Sequence, residues 1–409
     1  MRSAERGRTG APAGGAPARE ARADPAKSPG RGTTSPSTTG PSATSPSTTG
    51  PSTTGPSATG RSTTGRPARA TLVAVVLLLI ALAVGVSVGP AGLSLPDVAG
   101  ALLTRLPWHP AVTVPAIDTD IVWQIRLPRV VLGALVGAML AGGGAAYQGV
   151  FRNPLADPYL LGVAAGGGLG ATIVIVAGGS AALLPPAAFL GAAGAVTLTY
   201  LLGAGAGRGP QPGPGRAGST GSILLAGVAV AALLTAVQTY LQQQHSQTLQ
   251  AVYAWILGGL SLATWSDVTT ILPYVIVAAG ILLAHRRLLD VLRVGETEAG
   301  SLGVDVARLR LTVVMAATLG TAAAVSVSGL IGFVGIIVPH TVRLTAGASY
   351  RIVLPVSMIG GAAFLVLADV LARTVQSPDE VPIGVITALA GAPFFLLILH
   401  SRRARPELA

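Results

Sequence analysis

Residues 126–171 read RLPRVVLGALVGAMLAGGGAAYQGVFRNPLADPYLLGVAAGGGLGA. One apolar run occupies 130–149 and a second begins at 159. Each has the ~20 residues that a helix needs to cross a bilayer. Between them, Asn153-Pro154-Leu155-Ala156-Asp157-Pro158 is a turn by chemistry: the two prolines end helices, and Asn and Asp cap them. The stretch therefore predicts two membrane helices joined by a shape-setting turn, with no catalytic role for the turn. Gly and Ala crowd both runs, as close backbone packing in lipid requires.

The rest of the chain is built alike. Its 409 residues are 50% hydrophobic, 11% charged and 4% aromatic, with a mean hydropathy of +0.64. A soluble domain carries about 25% charged residues. The 54 Gly are nearly twice the usual ~7% share. Soluble enzymes and free nucleic-acid binders are excluded on this count, and a polytopic all-α membrane protein is expected.

Ten candidate spans follow: 71–89, 130–149, 159–178, 182–204, 223–243, 268–287, 309–328, 330–346, 352–374 and 383–400. The eighth is the weakest, because its apolar core runs only from Leu330 to Pro339. Charge parity supports it. Arg308 and Arg310 precede span seven, Arg343 and Arg351 follow span eight, and both pairs fit one face only if the chain crosses twice between them. Ten crossings put both termini in the cytoplasm.

Residues 1–69 carry +7 of the formal +11 charge and the remainder only +4, arranged in short loops. That is the positive-inside pattern and not a DNA-binding face. The 1–69 segment is Pro/Gly/Ser/Thr-rich, with prolines every five residues from Pro36 to Pro56 and Arg61 and Arg66 in the same slot. It buries too little apolar area to offset its ordering entropy, so a disordered cytoplasmic tail is expected, followed by a transmembrane domain over 70–401 and a short cytoplasmic end at 402–409. The chain has no Cys. Its five histidines (109, 245, 285, 340, 400) are scattered without metal-ligand spacing, and Pro339-His340 is expected to end a helix.

Three cations break the charge rule. Arg126 and Arg129 bracket Leu127-Pro128 at the external entrance to span two, and Arg373 lies near the external end of span nine. Two readings stand side by side. In one, the side chains snorkel to headgroups, or Arg373 pairs with Asp369 at i,i+4. In the other, they form an outward basic patch that receives acidic residues of a docking protein.

Beyond 126–171, VGETEAGSLGV at 294–304 leads through span seven to GLIGFVGIIVPHTVRL at 329–344, and LADVLARTVQSPDEVPIGVITALAGAPFFLLIL occupies 367–399. Together these segments resemble the FecCD family, the permease subunits of ATP-driven importers for ferric siderophores, cobalamin and haem. The resemblance covers roughly 90–400 and implies a type II importer permease fold. It implies a homodimer or a paralogous permease pair, two ATP-binding-cassette ATPase subunits and an extracytoplasmic substrate-binding protein docking at Arg126, Arg129 and Arg373. It makes Gly295, Glu296, Ala299, Leu302 and Gly303 the segment coupled to the ATPase, and Ser219, Thr220 and Gly221 an inner gate. Ferric siderophore is the first substrate expected, with no metal or cofactor on this chain.

No GxxxxGK[ST] occurs, so ATP and Mg are expected on a partner. No carboxylate falls at the middle of a predicted span, which argues against the rival reading of a proton- or sodium-coupled secondary transporter. A membrane anchor acting through its tail ranks last, since the tail lacks an apolar recognition stretch.

Overall fold

The structure is a computed structural model that describes residues 65–105, 114–205 and 220–403. The expected tail therefore lies outside the described residues up to position 64, as does the end from 404. Among the described residues the regular elements are helices.

α1 (Gly65–Ser87), α2 (Leu95–Leu103) and α3 (Ala116–Asp120) lead through a π-helical stretch, Ile121–Arg126, into α4 (Leu127–Val150). A 3-10 turn at Pro158–Leu161 precedes α5 (Val163–Val176) and α6 (Leu184–Gly205). Then come α7 (Thr220–Gln244), α8 (Leu249–Ile256), α9 (Trp265–Leu292) and the short α10 (Glu296–Ser301). α11 (Val306–Ser328), α12 (Val334–Ala346), α13 (Tyr350–Thr374) and α14 (Ile383–Arg403) complete the order. Among the described residues seven helical stretches are long and apolar enough to cross a membrane, and three shorter apolar ones fall at 163–176, 334–346 and 383–397. Each expected span thus meets one helix. α1 starts at Gly65, inside the segment expected as tail; Pro67 in its first turn suits a helix start.

α4 is the axis of the bundle and packs on α13, α11, α9 and α12, while α5, α6 and α7 pack on one another. Rim helices turn Leu72, Leu201, Leu225 and Ile276 outward, as lipid-facing surfaces do. The interior closes on small residues instead. A Cβ added to Gly137 would lie 2.2 Å from the Gly361 carbonyl oxygen, and one on Gly166 would lie 2.2 Å from that of Gly191. Backbones this close leave room for hydrogen alone.

α12 has only 13 residues. That is about 20 Å of helix against a ~30 Å hydrocarbon core. Residues 329–333 extend it as irregular backbone, which lipid tolerates only when its polar groups are satisfied within the protein. Several are met there: Gly329 N donates to Val325 O at 2.9 Å, Ile331 N to Tyr159 Oη at 3.1 Å, that hydroxyl donates to Ile331 O at 3.0 Å, and Phe333 O accepts from Ile337 N at 2.9 Å.

Pro339-His340 does not end this helix, contrary to expectation; both residues are buried inside it. A proline here removes the N–H that would bond the Gly335 carbonyl. Gln148 of α4 supplies the replacement, its Nε2 donating to Gly335 O at 2.9 Å.

Candidate functional site

At the end of the bundle where α4 begins, the π-helical stretch carries Arg126, the first turn of α4 carries Arg129 beside Pro128, and the last turn of α13 carries Arg373. Arg126 donates to the carbonyls of Val86 (2.9 Å), Ser87 (2.7 Å) and Ala91. It is thus a cation on the C-terminal carbonyls of α1, which offsets that helix's dipole. Arg129 forks between two carboxylates. Nε and Nη2 reach Asp369 at 2.8–3.1 Å, while Nη1 and Nη2 reach Glu380 at 2.7 and 3.0 Å. Planar bidentate pairing of this kind is particular to Arg. Arg373 pairs with the same Asp369 at 3.0 Å, one turn along α13.

The open basic patch expected from Arg126, Arg129 and Arg373 is corrected here. The three residues are only 3%, 7% and 2% exposed, and two carboxylates of the same chain neutralise most of their charge. The i,i+4 pair of Asp369 and Arg373 is present as the other reading had it. Glu380 was missed. Its signal was an acid in the Ser377-Pro378-Asp379-Glu380 turn directly after a span that ends in Arg.

At the opposite end, the segment from Val294 to Val304 forms one compact knob around α10. Gly295 (φ 154°) and Gly303 (φ 82°) bracket it in conformations that side chains resist. Glu296 bonds Arg310 of α11 at 2.5 Å. Ala299 is fully buried beneath the knob, while Leu302 and Val294 stand 69% and 68% exposed. Asp305 then caps α11 by accepting from Arg308 N at 3.0 Å. The five residues expected to act together, Gly295, Glu296, Ala299, Leu302 and Gly303, are therefore gathered in one rigid projection. An apolar tip on a bonded base is suited to seat in a groove of another subunit.

The expected gate is described only in part. Ser219 lies outside the described residues, Thr220 is the first residue of α7, and Gly221 is exposed in its first turn. In the Asn153–Pro158 turn the predicted side-chain caps are present: Asn153 Oδ1 accepts from Leu155 N at 3.0 Å and Asp157 Oδ1 from Tyr159 N at 2.8 Å. Between the two ends the buried polar contacts are neutral, such as Tyr147 Oη to Thr318 Oγ1 at 2.8 Å and Gln238 Nε2 to Thr172 Oγ1 at 3.1 Å. Among the described residues no three His, Asp or Glu side chains cluster as a metal site.

The FecCD transport family matches residues 76–401 of this sequence. A cobalamin import system permease of Halobacterium salinarum is 41% identical over 81% of this chain and 95% of its own length. A hemin transport system permease of Yersinia pestis is 37% identical, covering 70% of this chain and 86% of the relative. An Fe(3+) dicitrate transport permease of Escherichia coli is 36% identical, covering 75% and 90%. A solved inward-facing structure described as a metal-chelate type ABC transporter superposes with a TM-score of 0.71 at 29% identity, covering 82% of this chain and 99% of that one. With the span order, the short α12 and the bracketed knob in place, the chain belongs to the FecCD transport family.

Proposed function

We propose that this chain is the permease subunit of an ATP-binding-cassette importer and carries a chelated metal compound across the cell membrane. The observation that carries the reading is the α10 knob: an exposed Leu302 on a base fixed by Glu296 and Arg310. A chain without a phosphate-binding loop needs a place where another subunit's nucleotide cycle can push. In this reading the α10 end and both termini face the cytoplasm, and two ATPase subunits hold ATP and Mg. A second permease copy completes the path, and an extracytoplasmic binding protein delivers the cargo at the Arg129 end. Ser219, Thr220 and Gly221 belong to the inner gate.

For the cargo we propose a ferric siderophore. Cobalamin is the second reading, favoured by the 41% identity to a cobalamin permease. Chelation explains why the path needs no metal ligands of its own. The test is co-expression with an ATPase of the cassette type and purification in mild detergent. Retention of two ATPase subunits per two permeases is expected; a permease that never retains one contradicts the reading. The chelate that the cognate binding protein keeps on purification then decides between iron and cobalt cargo.

A further inference from the structure

A second polar concavity lies at the α10 end, between the turn after α4 and the ends of α9 and α12. It encloses about 260 Å³ and is lined by Gln148, Arg152, Arg293, Arg343 and Tyr350, among others. Arg343 is held in place: it donates to Gln148 Oε1 and, at 3.3 Å, to Tyr350 Oη, with its guanidinium 5.6 Å above the Tyr350 ring. Arg152 is exposed, makes no ion pair among the described residues, and has a left-handed backbone (φ 50°) rare for a side-chain-bearing residue. That backbone closes α4: Arg152 N donates to Gly149 O at 3.3 Å and Asn153 N to Gln148 O at 3.2 Å, the paired bonds that end a helix on a left-handed residue.

The counter-charge is already committed. Asp290 accepts from Ser349 Oγ and Tyr350 N, both at 2.6 Å, and stands 3.7 Å from Arg293 and from Arg351. Two guanidiniums thus share that carboxylate, while Arg152 and Arg343 have no carboxylate partner among the described residues. The sequence neighbours of the lining residues, Leu155 and Leu344, are 42% and 71% exposed. A basic pocket between membrane helices at the end of the bundle has the chemistry of an anionic-lipid site.

We propose that this pocket binds the phosphate of an anionic phospholipid headgroup, with Arg152 as its unpaired donor, Arg293 as a second donor held only loosely by Asp290 at 3.7 Å, and Arg343 as its fixed floor. The inference rests on the reading of the α10 end as lying at the membrane surface. It does not require a particular cargo. The cavity takes a headgroup but not a partner helix of ~10 Å diameter.

The test is native mass spectrometry of the full chain, titrated with phosphatidylglycerol, with phosphatidylcholine, or with inorganic phosphate in phosphatidylcholine. One phosphatidylglycerol per chain should be retained at concentrations where phosphatidylcholine is not. Arg152→Gln with Arg293→Gln should weaken it about thirtyfold, at ~1 kcal/mol or about fivefold per guanidinium. A thermal melt of the variant separates this loss from misfolding. Binding of free phosphate that the same substitutions abolish, with no preference among lipids, assigns the site to a soluble anion and overturns the lipid source. Lipid retention unchanged by the substitutions overturns the site. Loss of ATPase retention with unchanged lipid binding also overturns it and makes the pocket a subunit contact. Failure of the permease ever to bind an ATPase would sink the importer reading while leaving the lipid titration intact.

Discussion

Arg129 and Asp369, 240 positions apart in sequence, meet at 2.8 Å inside the protein, with side chains 8% and 3% exposed. Removing Asp369 strands Arg373, whose side chain is 2% exposed and has no other carboxylate paired to it among the described residues, while Arg129 keeps Glu380. Asp369→Asn should therefore cost about 3 kcal/mol. Glu380 is the more exposed partner, at 28%, and Glu380→Gln should cost about 1 kcal/mol. Thermal unfolding in detergent measures both; equal losses would contradict the assignment of Asp369 as the central anion.

Gln148→Leu should destabilise the protein by about 1–3 kcal/mol, since it deprives both the Gly335 carbonyl and Arg343 of a partner. Restoring the backbone donor with Pro339→Ala should recover part of that loss. A double-mutant cycle measures the recovery. Strict additivity would mean that Gln148 does not compensate for the proline.

Gly144→Ala should be poorly tolerated. Its Cβ would lie 2.2 Å from the Gly335 carbonyl oxygen, a backbone atom that cannot swing away. Overpacking of this kind costs about 1–3 kcal/mol or more. Gly194, where an added Cβ meets nothing within 4 Å, is the matched control and should accept Ala without loss. Similar unfolding temperatures for the two variants would contradict the close α4–α12 approach.

Bulky substitutions at Glu296 or Gly303 should leave insertion intact but uncouple ATP hydrolysis from transport. Gly303→Val forces a branched side chain into φ 82° at the base of the knob. In reconstituted complex, stimulation of hydrolysis by loaded binding protein should fall at least tenfold. Normal stimulation would remove the coupling role.

The sequence made much of the fold readable because a bilayer imposes length and polarity on every span. The ten apolar segments and the Asn153–Pro158 turn lie where their residues place them. The knob was readable from Gly295 and Gly303 together with the acids at 296 and 298. What stayed hidden depended on distant pairings. Arg129 looks like an exposed cation until Asp369 and Glu380 fold against it. Pro339 reads as a helix end because a local rule does not register Gln148, 187 residues before Gly335, reaching the Gly335 carbonyl that the proline leaves without a donor. The weak eighth span is short for a related reason: its missing turns are irregular backbone held by Tyr159, 172 positions earlier than Ile331, whose hydroxyl bonds both the N–H and the carbonyl of Ile331.

The most direct measurement is uptake by proteoliposomes holding the purified permease, with and without a cognate ATPase, supplied with chelate-loaded binding protein. Concentrative uptake should require the ATPase, internal or accessible ATP with Mg, and the binding protein together. Brisk accumulation by the permease alone would contradict the account.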